Sequence, residues 1–116
     1  MKTLLVVDDE KNICQLYQQE LSDEGYRVLV AENGYDAIDL LRRENIDLAI
    51  LDIKMDGLNG IDTLKQLLAM KKELKVILNS AYSIYKSDFA TWSADAYIIK
   101  SSDLTELKKK IAEILQ

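Results

Sequence analysis

Short apolar runs alternate along the chain with longer stretches in which apolar residues recur at helical spacing. The short runs predict five strands, at residues 3–7, 26–31, 47–51, 75–79 and 95–99. The third and fifth runs are almost continuously apolar, which is typical of strands covered by helices on both faces. Strands that alternate with helices in this way predict an α/β domain built on a parallel sheet.

The longer stretches carry apolar stripes, and the last stretch shows the helical spacing best. Asp103 and Glu106 stand at its start, three residues apart, as the cap pair of a helix would. The apolar positions of this terminal helix are Leu104, Leu107, Ile111, Ile114 and Leu115.

The composition is that of one globular domain. The chain has 116 residues, 48% of them apolar and 30% charged, with a net charge of −5. It has no unbroken apolar run of the roughly 18 residues that a membrane span needs, and its first residues lack the pattern of a signal peptide. We therefore expect a single domain over residues 1–116, located in the cytoplasm and without membrane contact. The negative charge argues against direct binding of nucleic acid.

The absence of histidine narrows the chemistry. It removes Ser-His-Asp and Cys-His catalysis, histidine-ligated zinc, and a phosphohistidine carried by this chain. The chain also lacks GxGxxG after the first strand and GxxxxGK[ST] anywhere, which are the two commonest nucleotide-binding motifs. Cys14 is the single cysteine and, next to Ile13 and Leu16, is predicted to fill the core.

Polar residues follow four of the five predicted strands at the point where each strand ends. Asp8 and Asp9 follow the first strand, Asp52 the third, Ser80 the fourth and Lys100 the fifth. Ligands of an open parallel sheet bind beyond the carboxyl ends of its strands, so these side chains are expected to meet. Two carboxylates about 4 Å apart repel by roughly 4 kcal/mol at an effective dielectric constant of 20. The acids therefore predict a site for a cation such as Mg²⁺, with Lys100 as a second positive charge, at which an anionic phosphoryl group can bind.

This combination resembles the receiver domain of two-component response regulators, over essentially all of residues 2–116. The motifs are Asp8-Asp9-Glu10, Asp52 within LDIKMDGLNG, Ser80-Ala81, and the run DAYIIK that ends at Lys100. The resemblance implies a flavodoxin-like, doubly wound fold, with a five-stranded parallel sheet in the order 2-1-3-4-5 and five helices in three α/β/α layers. It also implies a phosphoaccepting domain of a two-component or phosphorelay signalling system.

The resemblance gives each acid a role. Asp52 would be the phosphoacceptor, attacking the phosphorus of a phosphohistidine on a partner histidine kinase or histidine phosphotransfer protein. Asp9 would bind Mg²⁺ directly and Asp8 largely through water, while Asp52 and the backbone carbonyl of Lys54 would complete the protein's ligands.

The same resemblance implies a switch. Lys100 would pair with the phosphoryl oxygens, and the Ser80 hydroxyl would move toward them and donate to one. The aromatic ring at Tyr97 would turn inward and remodel the surface formed by the fourth helix, the fifth strand and the fifth helix. That surface would bind a downstream effector protein or a fused effector domain, or would pair two copies of the chain. Such a domain acts on no outside substrate and is not an enzyme.

The sequence departs from the family pattern next to the site. Receivers usually have a proline after the lysine, joined by a cis peptide bond, but Ser101 stands there and the chain has no proline. A cis bond before another residue costs roughly 2.5–4 kcal/mol. We expect either a trans bond with a reshaped loop or a cis bond held by its surroundings. Ser93 stands where such domains often have glycine.

Two other classes of protein are open. A pseudo-receiver, which keeps the fold as a docking module independent of phosphorylation, is consistent with the missing prolines. An aspartate-nucleophile phosphohydrolase would need a second acid two residues after Asp52, where this chain has Lys54. The receiver is either free-standing or part of a longer protein with an effector domain.

Overall fold

In the computed structural model of the chain, residues 1–53, 59–81 and 93–116 are described. Within them lie five strands, β1 (Thr3–Val7), β2 (Arg27–Ala31), β3 (Leu48–Leu51), β4 (Lys75–Ser80) and β5 (Ala96–Ile99). The same residues form four helices, α1 (Lys11–Asp23), α2 (Gly34–Arg43), α3 (Gly60–Met70) and α4 (Thr105–Ile114). The expected fourth helix falls between β4 and β5, on residues 82–92 outside the described part, so the expected fifth helix is α4.

The five strands form one parallel sheet in the order β2-β1-β3-β4-β5. The chain first moves outward from β1 to β2 and then crosses back over β1 to β3, so the sheet reverses its winding between β1 and β3. This point is where doubly wound sheets bind their ligands. The flavodoxin-like order expected from the sequence is confirmed.

Alternate residues of each strand enter two separate cores, as the pleat of a strand requires. Leu5 and Val7 of β1 pack under α2 and α3, whereas Leu4 and Val6 pack under α1 and α4. Helices thus cover both faces of the sheet and give the expected three layers. None of the helices in the described residues combines the length and apolar character needed to cross a membrane.

Three strands, β2, β3 and β5, begin one residue later than the apolar pattern predicts. Asp47 and Asp95 precede β3 and β5 and accept backbone hydrogen bonds from the neighbouring strands, from the Thr3 amide at 2.8 Å and the Val76 amide at 2.8 Å respectively. Both carboxylates extend the hydrogen bonding of the sheet beyond its ladders. In contrast, β4 runs one residue further than predicted, so Ser80 is its last residue.

The start of α4 also differs slightly from the predicted cap pair. The helix begins at Thr105, with Glu106 in its first turn. Asp103 Oδ1 accepts hydrogen bonds from the Thr105 hydroxyl at 2.6 Å and the Thr105 amide at 2.9 Å, and these bonds lower the pKa of the Asp103 carboxyl. Asp103 therefore satisfies a free amide at the helix start, which is the function of a cap.

Candidate functional site

The two buried acids are fixed by backbone bonds that continue the sheet past the strand ends. Val7 and Leu51 are register partners in β1 and β3, and each is followed by an aspartate. The Asp52 amide donates to the Val7 carbonyl at 3.0 Å, and the Asp8 amide donates to the Ala31 carbonyl of β2 at 3.1 Å. Asp8 and Asp52 are 2% and 6% exposed. Neighbouring parallel strands at the winding reversal thus bring these two carboxylates together.

Asp9 completes a cluster of three carboxylates. One oxygen from each of Asp8, Asp9 and Asp52 lies within 4.8 Å of the others, with Asp9 exposed to solvent. Mg²⁺ takes oxygen ligands at about 2.0–2.1 Å, so oxygens this close can share one ion after small side-chain rotations. The donor set therefore fits Mg²⁺, and the sequence-predicted acids do meet.

Lys100 lies among these acids. Its backbone amide donates to the Ser80 carbonyl at 2.7 Å, which extends the pairing of β4 and β5 beyond their ends. The Lys100 Nζ atom then reaches Asp8 Oδ2 at 2.8 Å and Asp52 Oδ2 at 3.2 Å, with Glu10 Oε1 at 3.8 Å. The sequence predicts Lys100 at this site as a partner of phosphoryl oxygens, and in the structure its ammonium contacts the two buried acids themselves.

The peptide bond between Lys100 and Ser101 is trans. Of the two outcomes expected for this bond, the trans one is therefore correct. The side chain of Lys100 reaches Asp52 without the proline that the family usually has at the next position.

The electrostatic balance keeps the lysine charged. Burial disfavours the Lys100 ammonium, but its hydrogen bond to Asp8 and the charges of Asp8 and Asp52 outweigh this effect, and the pKa of Lys100 is raised. One ammonium faces three carboxylates, so it relieves their mutual repulsion only in part. The site can still attract a divalent cation.

The two expected switch residues lie at the same edge of the sheet or close to it. Ser80 is fully buried at the end of β4, next to the start of the loop that leaves the sheet. Tyr97 of β5 pairs in register with Leu78 and is 5% exposed among the side chains under α2 and α3. Its side chain is thus buried in this structure. Lys54, whose carbonyl is an expected ligand, lies outside the described residues.

Gly60 contributes to the site and was not identified from the sequence. It is the first residue of α3, and its amide donates to the Ile53 carbonyl at 2.9 Å. A Cβ atom on Gly60 would lie 2.6 Å from Ile53 Cα and closer still to the Asp52 carbonyl oxygen. Only glycine allows α3 to approach the phosphoacceptor candidate this closely, and Gly60 in sequence gave no sign of that contact.

Cys14 fills the core as predicted, but it also contacts the site. Its thiol is 5% exposed and donates to the Asp8 carbonyl at 3.3 Å. Burial, followed by the charges of Asp8 and Glu32, raises the pKa of the thiol to about 11. Because the thiolate is the reactive form of cysteine, Cys14 is a structural donor and not a nucleophile.

The fold and the site together define a doubly wound α/β protein with a cluster of acidic residues at its winding reversal. A model of the response regulator receiver domain family matches residues 4–112. The chain belongs to this family of signalling modules, as the motifs indicated.

Relatives of known name differ in how much of their length the chain spans. It is 34% identical over 114 residues to the transcriptional regulatory protein ZraR of Klebsiella oxytoca, covering 97% of this chain and 26% of ZraR. It is 30% identical to the sporulation initiation phosphotransferase F of Bacillus subtilis, covering 97% of this chain and 92% of that protein. The chain therefore corresponds to about a quarter of the first relative and to nearly all of the second.

Solved structures agree with the fold in detail. The response regulator TrrA of Thermotoga maritima, crystallised in complex with Mg²⁺-BeF, is 46% identical with a TM-score of 0.92, over 98% of this chain and 99% of TrrA. A complex of the histidine kinase ThkA with TrrA contains a chain that matches over the full length of both, with 46% identity and a TM-score of 0.91.

Proposed function

We propose that this receiver accepts a phosphoryl group on Asp52, in a Mg²⁺-dependent reaction, from a phosphohistidine on a histidine kinase or histidine phosphotransfer protein. The observation that carries the proposal is the meeting of three carboxylates with Lys100, whose Nζ atom is 3.2 Å from Asp52 Oδ2. The related TrrA has been crystallised both with a phosphoryl analogue and Mg²⁺ and with a histidine kinase, which supports it.

In the proposed reaction an Asp52 carboxylate oxygen forms the new bond to phosphorus. The bond between phosphorus and the donor imidazole nitrogen breaks, and its electron pair leaves with the imidazole. Phosphoryl transfer of this kind needs in-line positioning and compensation of negative charge more than it needs a general base. Lys100 supplies a fixed positive charge, and the backbone bond from Asp52 to Val7 orients the nucleophile.

The acids Asp8, Asp9 and Asp52 would hold Mg²⁺, together with the backbone carbonyl of Lys54. When bound, the ion compensates charge on the carboxylates and on the phosphoryl oxygens. Asp9 is the exposed member of the cluster and would be the ligand most accessible to a hydrated ion.

The output belongs to the same proposal. The Ser80 hydroxyl would donate to a phosphoryl oxygen. The packing of Tyr97 would then change and alter the surface made by the fourth helix of the family fold, β5 and α4. A downstream effector protein, a fused effector domain or a second copy of the chain would bind there. We also propose that residues 1–116 form one domain, that it works in the cytoplasm, and that it acts on no outside substrate. Lys54 stands where a phosphohydrolase of this fold needs an acid.

A titration with beryllofluoride tests the proposal directly. Wild-type protein in Mg²⁺ should show saturable changes in backbone amide shifts, centred on the ends of β1, β3 and β4. Asp52→Asn removes the acceptor and Asp9→Ala removes a metal ligand, and each should abolish the response. Incubation with acetyl phosphate should then add one phosphoryl group to the wild type and none to Asp52→Asn, read by intact mass.

The pseudo-receiver alternative makes the opposite prediction. A wild-type protein that stays unchanged in saturating beryllofluoride and Mg²⁺, while giving the spectrum of a folded domain, would rule out phosphoacceptance. A response that persists in Asp52→Asn would place the analogue elsewhere and would also contradict the proposal.

A further inference from the structure

A buried polar pair lies beneath the acidic site and has no part in the roles proposed above. The Tyr17 hydroxyl on α1 donates to Asn79 Oδ1 on β4 at 2.5 Å, and Asn79 Nδ2 donates to the Ile98 carbonyl of β5 at 3.0 Å. Tyr17 is 1% exposed and Asn79 is 2% exposed. One side-chain amide thus joins a helix and two strands within the core.

The chemistry of the partners fixes the orientation of this amide. A backbone carbonyl can only accept, so Nδ2 faces Ile98 and Oδ1 faces Tyr17. Burial raises the pKa of Tyr17 to about 12, although the nearby charge of Lys100 partly opposes the rise. The phenol therefore stays protonated at neutral pH and serves as the donor to Asn79.

Stability alone does not account for such a pair. Tyr17 and Ile98 belong to the apolar cluster under α1 and α4, where two apolar residues of similar shape would serve nearly as well. A buried hydrogen-bonded pair differs from apolar packing in that it tolerates a single arrangement, because any slip leaves a polar group unsatisfied. The pair is therefore suited to holding elements in register.

The elements that the pair joins are those that carry the site. Helix α1 begins directly after the acidic loop, and the Cys14 thiol, one turn before Tyr17, is bonded to the Asp8 carbonyl. Asn79 directly precedes Ser80, and Ile98 lies two residues before Lys100. Asp8 and Asp9 are thus connected to α1, whereas the Ser80 hydroxyl and the Lys100 ammonium lie at the ends of β4 and β5.

We infer that Tyr17 and Asn79 are positioning residues, which hold α1 against β4 and β5 and thereby set the distance from the acidic loop to Ser80 and Lys100. The inference rests on the proposed function of the site. Displacing a reacting group by 1 Å can change a rate by about 100-fold. Loss of the tether should therefore weaken binding at the site even where the fold persists.

The first test removes one hydroxyl. Tyr17→Phe keeps the ring and breaks the bond to Asn79, and we expect the affinity for beryllofluoride in saturating Mg²⁺ to fall about tenfold, with a matching fall in the rate of phosphorylation by acetyl phosphate. Tyr26→Phe is the matched control, because Tyr26 is partly buried against the same cluster without belonging to the pair. It should bind the analogue as the wild type does.

The second test separates positioning from stability. In the double variant Tyr17→Phe with Asn79→Leu the Tyr17–Asn79 pair becomes apolar, so the thermal midpoint should rise above that of Tyr17→Phe, although the Ile98 carbonyl loses its donor. The affinity for beryllofluoride should stay about tenfold lower, because the register is no longer fixed. An affinity that recovers together with the midpoint would overturn the inference.

The outcomes distinguish this inference from the proposed function. A wild type that does not bind beryllofluoride contradicts the proposed function itself. A wild type that binds it, with Tyr17→Phe binding equally well, overturns only the positioning role. If the double variant fails to fold, the comparison of Tyr17→Phe with Tyr26→Phe decides alone.

Discussion

Among single residues, Cys14 joins the core to the acidic loop through its bond to the Asp8 carbonyl, and its ionisation should lower the free energy of unfolding at alkaline pH. The folded state raises the pKa of the thiol from 9.0 to about 11, so below pH 9 both folded and unfolded thiols are protonated. Between pH 9 and 11 only the unfolded thiol ionises, and the free energy of unfolding should fall by about 2 kcal/mol through this group. Urea unfolding at stepped pH measures the fall.

Cys14→Ser is the matched control for this pH effect, since a serine hydroxyl can still donate to the Asp8 carbonyl but does not titrate. The difference in stability between the wild type and the variant should shrink as the pH rises from 9 to 11. A constant difference across that range would show that the thiol does not contribute. Tyr17, whose pKa is also raised, acts equally in both proteins and cancels.

Ser93 has a backbone conformation that is unfavourable for a residue with a side chain. Its φ of 64° lies in the left-handed region, which costs a side chain about 1–2 kcal/mol and suits glycine. This is a physical reason for the glycine that the family often has at the position. Ser93→Gly should raise the free energy of unfolding by about 0.5–1 kcal/mol in urea denaturation. Ser93→Ala keeps the strain and should not gain, and equal gains in both variants would refute the explanation.

The positions of the candidate site residues were predictable because each lies where its strand ends. An aspartate directly after an apolar run has its backbone fixed by the sheet, so the strand pattern predicts Asp8 and Asp52 at the same edge of the sheet, and the family resemblance makes their strands neighbours. The bond between Tyr17 and Asn79 joins residues 62 positions apart and depends on how α1 packs on β4. No local pattern in the sequence contains that information. The position of Lys100 after the fifth strand predicted that it lies at the site. Its contact with Asp8 depends on side-chain geometry, which the sequence does not contain.

At the scale of elements, the five strands and the helices described here follow the apolar periodicity closely. The predicted and observed elements differ at their ends, where hydrogen bonds of polar side chains determine the first or last residue. From the sequence, Asp47 and Asp95 could each be the first residue of a strand or the residue before it. In the structure their side chains accept hydrogen bonds from neighbouring strands, so β3 and β5 begin one residue later. In α2 and α3 the helix starts are set by Asn33 and Asn59, whose side chains accept from the amides three residues on.

The close approach of α3 to the end of β3 depends on the absence of a side chain at Gly60. A Cβ on residue 60 would collide with backbone atoms of Asp52 and Ile53, which cannot swing away as a side chain can. Gly60→Ala should therefore lower the free energy of unfolding by at least about 2 kcal/mol and weaken the binding of beryllofluoride by displacing Asp52. Chemical denaturation and the beryllofluoride titration measure the two effects.

Gly25→Ala is the control for Gly60→Ala. Gly25 has a φ of 97° with no atoms within 4 Å of a built Cβ, so alanine there is strained by its backbone alone and lies far from any contact with Asp52. It should reduce stability while leaving the affinity for beryllofluoride unchanged. If Gly60→Ala also left that affinity unchanged, the close approach would have no bearing on the site.

For the molecule as a whole, both the net negative charge and the cluster of carboxylates at the site favour stabilisation of the folded state by cations. The chain carries 20 acidic and 15 basic residues, and its densest described cluster of acids, at the ends of β1 and β3, is compensated by Lys100 only in part. Any cation stabilises such a protein weakly by screening, whereas an ion that binds the folded site stabilises it by mass action. The two effects differ in their dependence on the ion and on Asp9.

Mg²⁺ should therefore stabilise the folded domain through the site. At a concentration ten times its dissociation constant, Mg²⁺ adds about 1.4 kcal/mol to the free energy of unfolding, which is roughly 4–8 °C in the thermal midpoint of a domain of this size. Asp9→Asn removes an exposed ligand without disturbing the core, so without Mg²⁺ it should be as stable as the wild type or slightly more stable, and Mg²⁺ should no longer raise its midpoint. KCl at matched ionic strength controls for screening in both proteins. An equal rise with Mg²⁺ in the wild type and in Asp9→Asn would mean that the ion acts on the net charge and not at the carboxylate cluster.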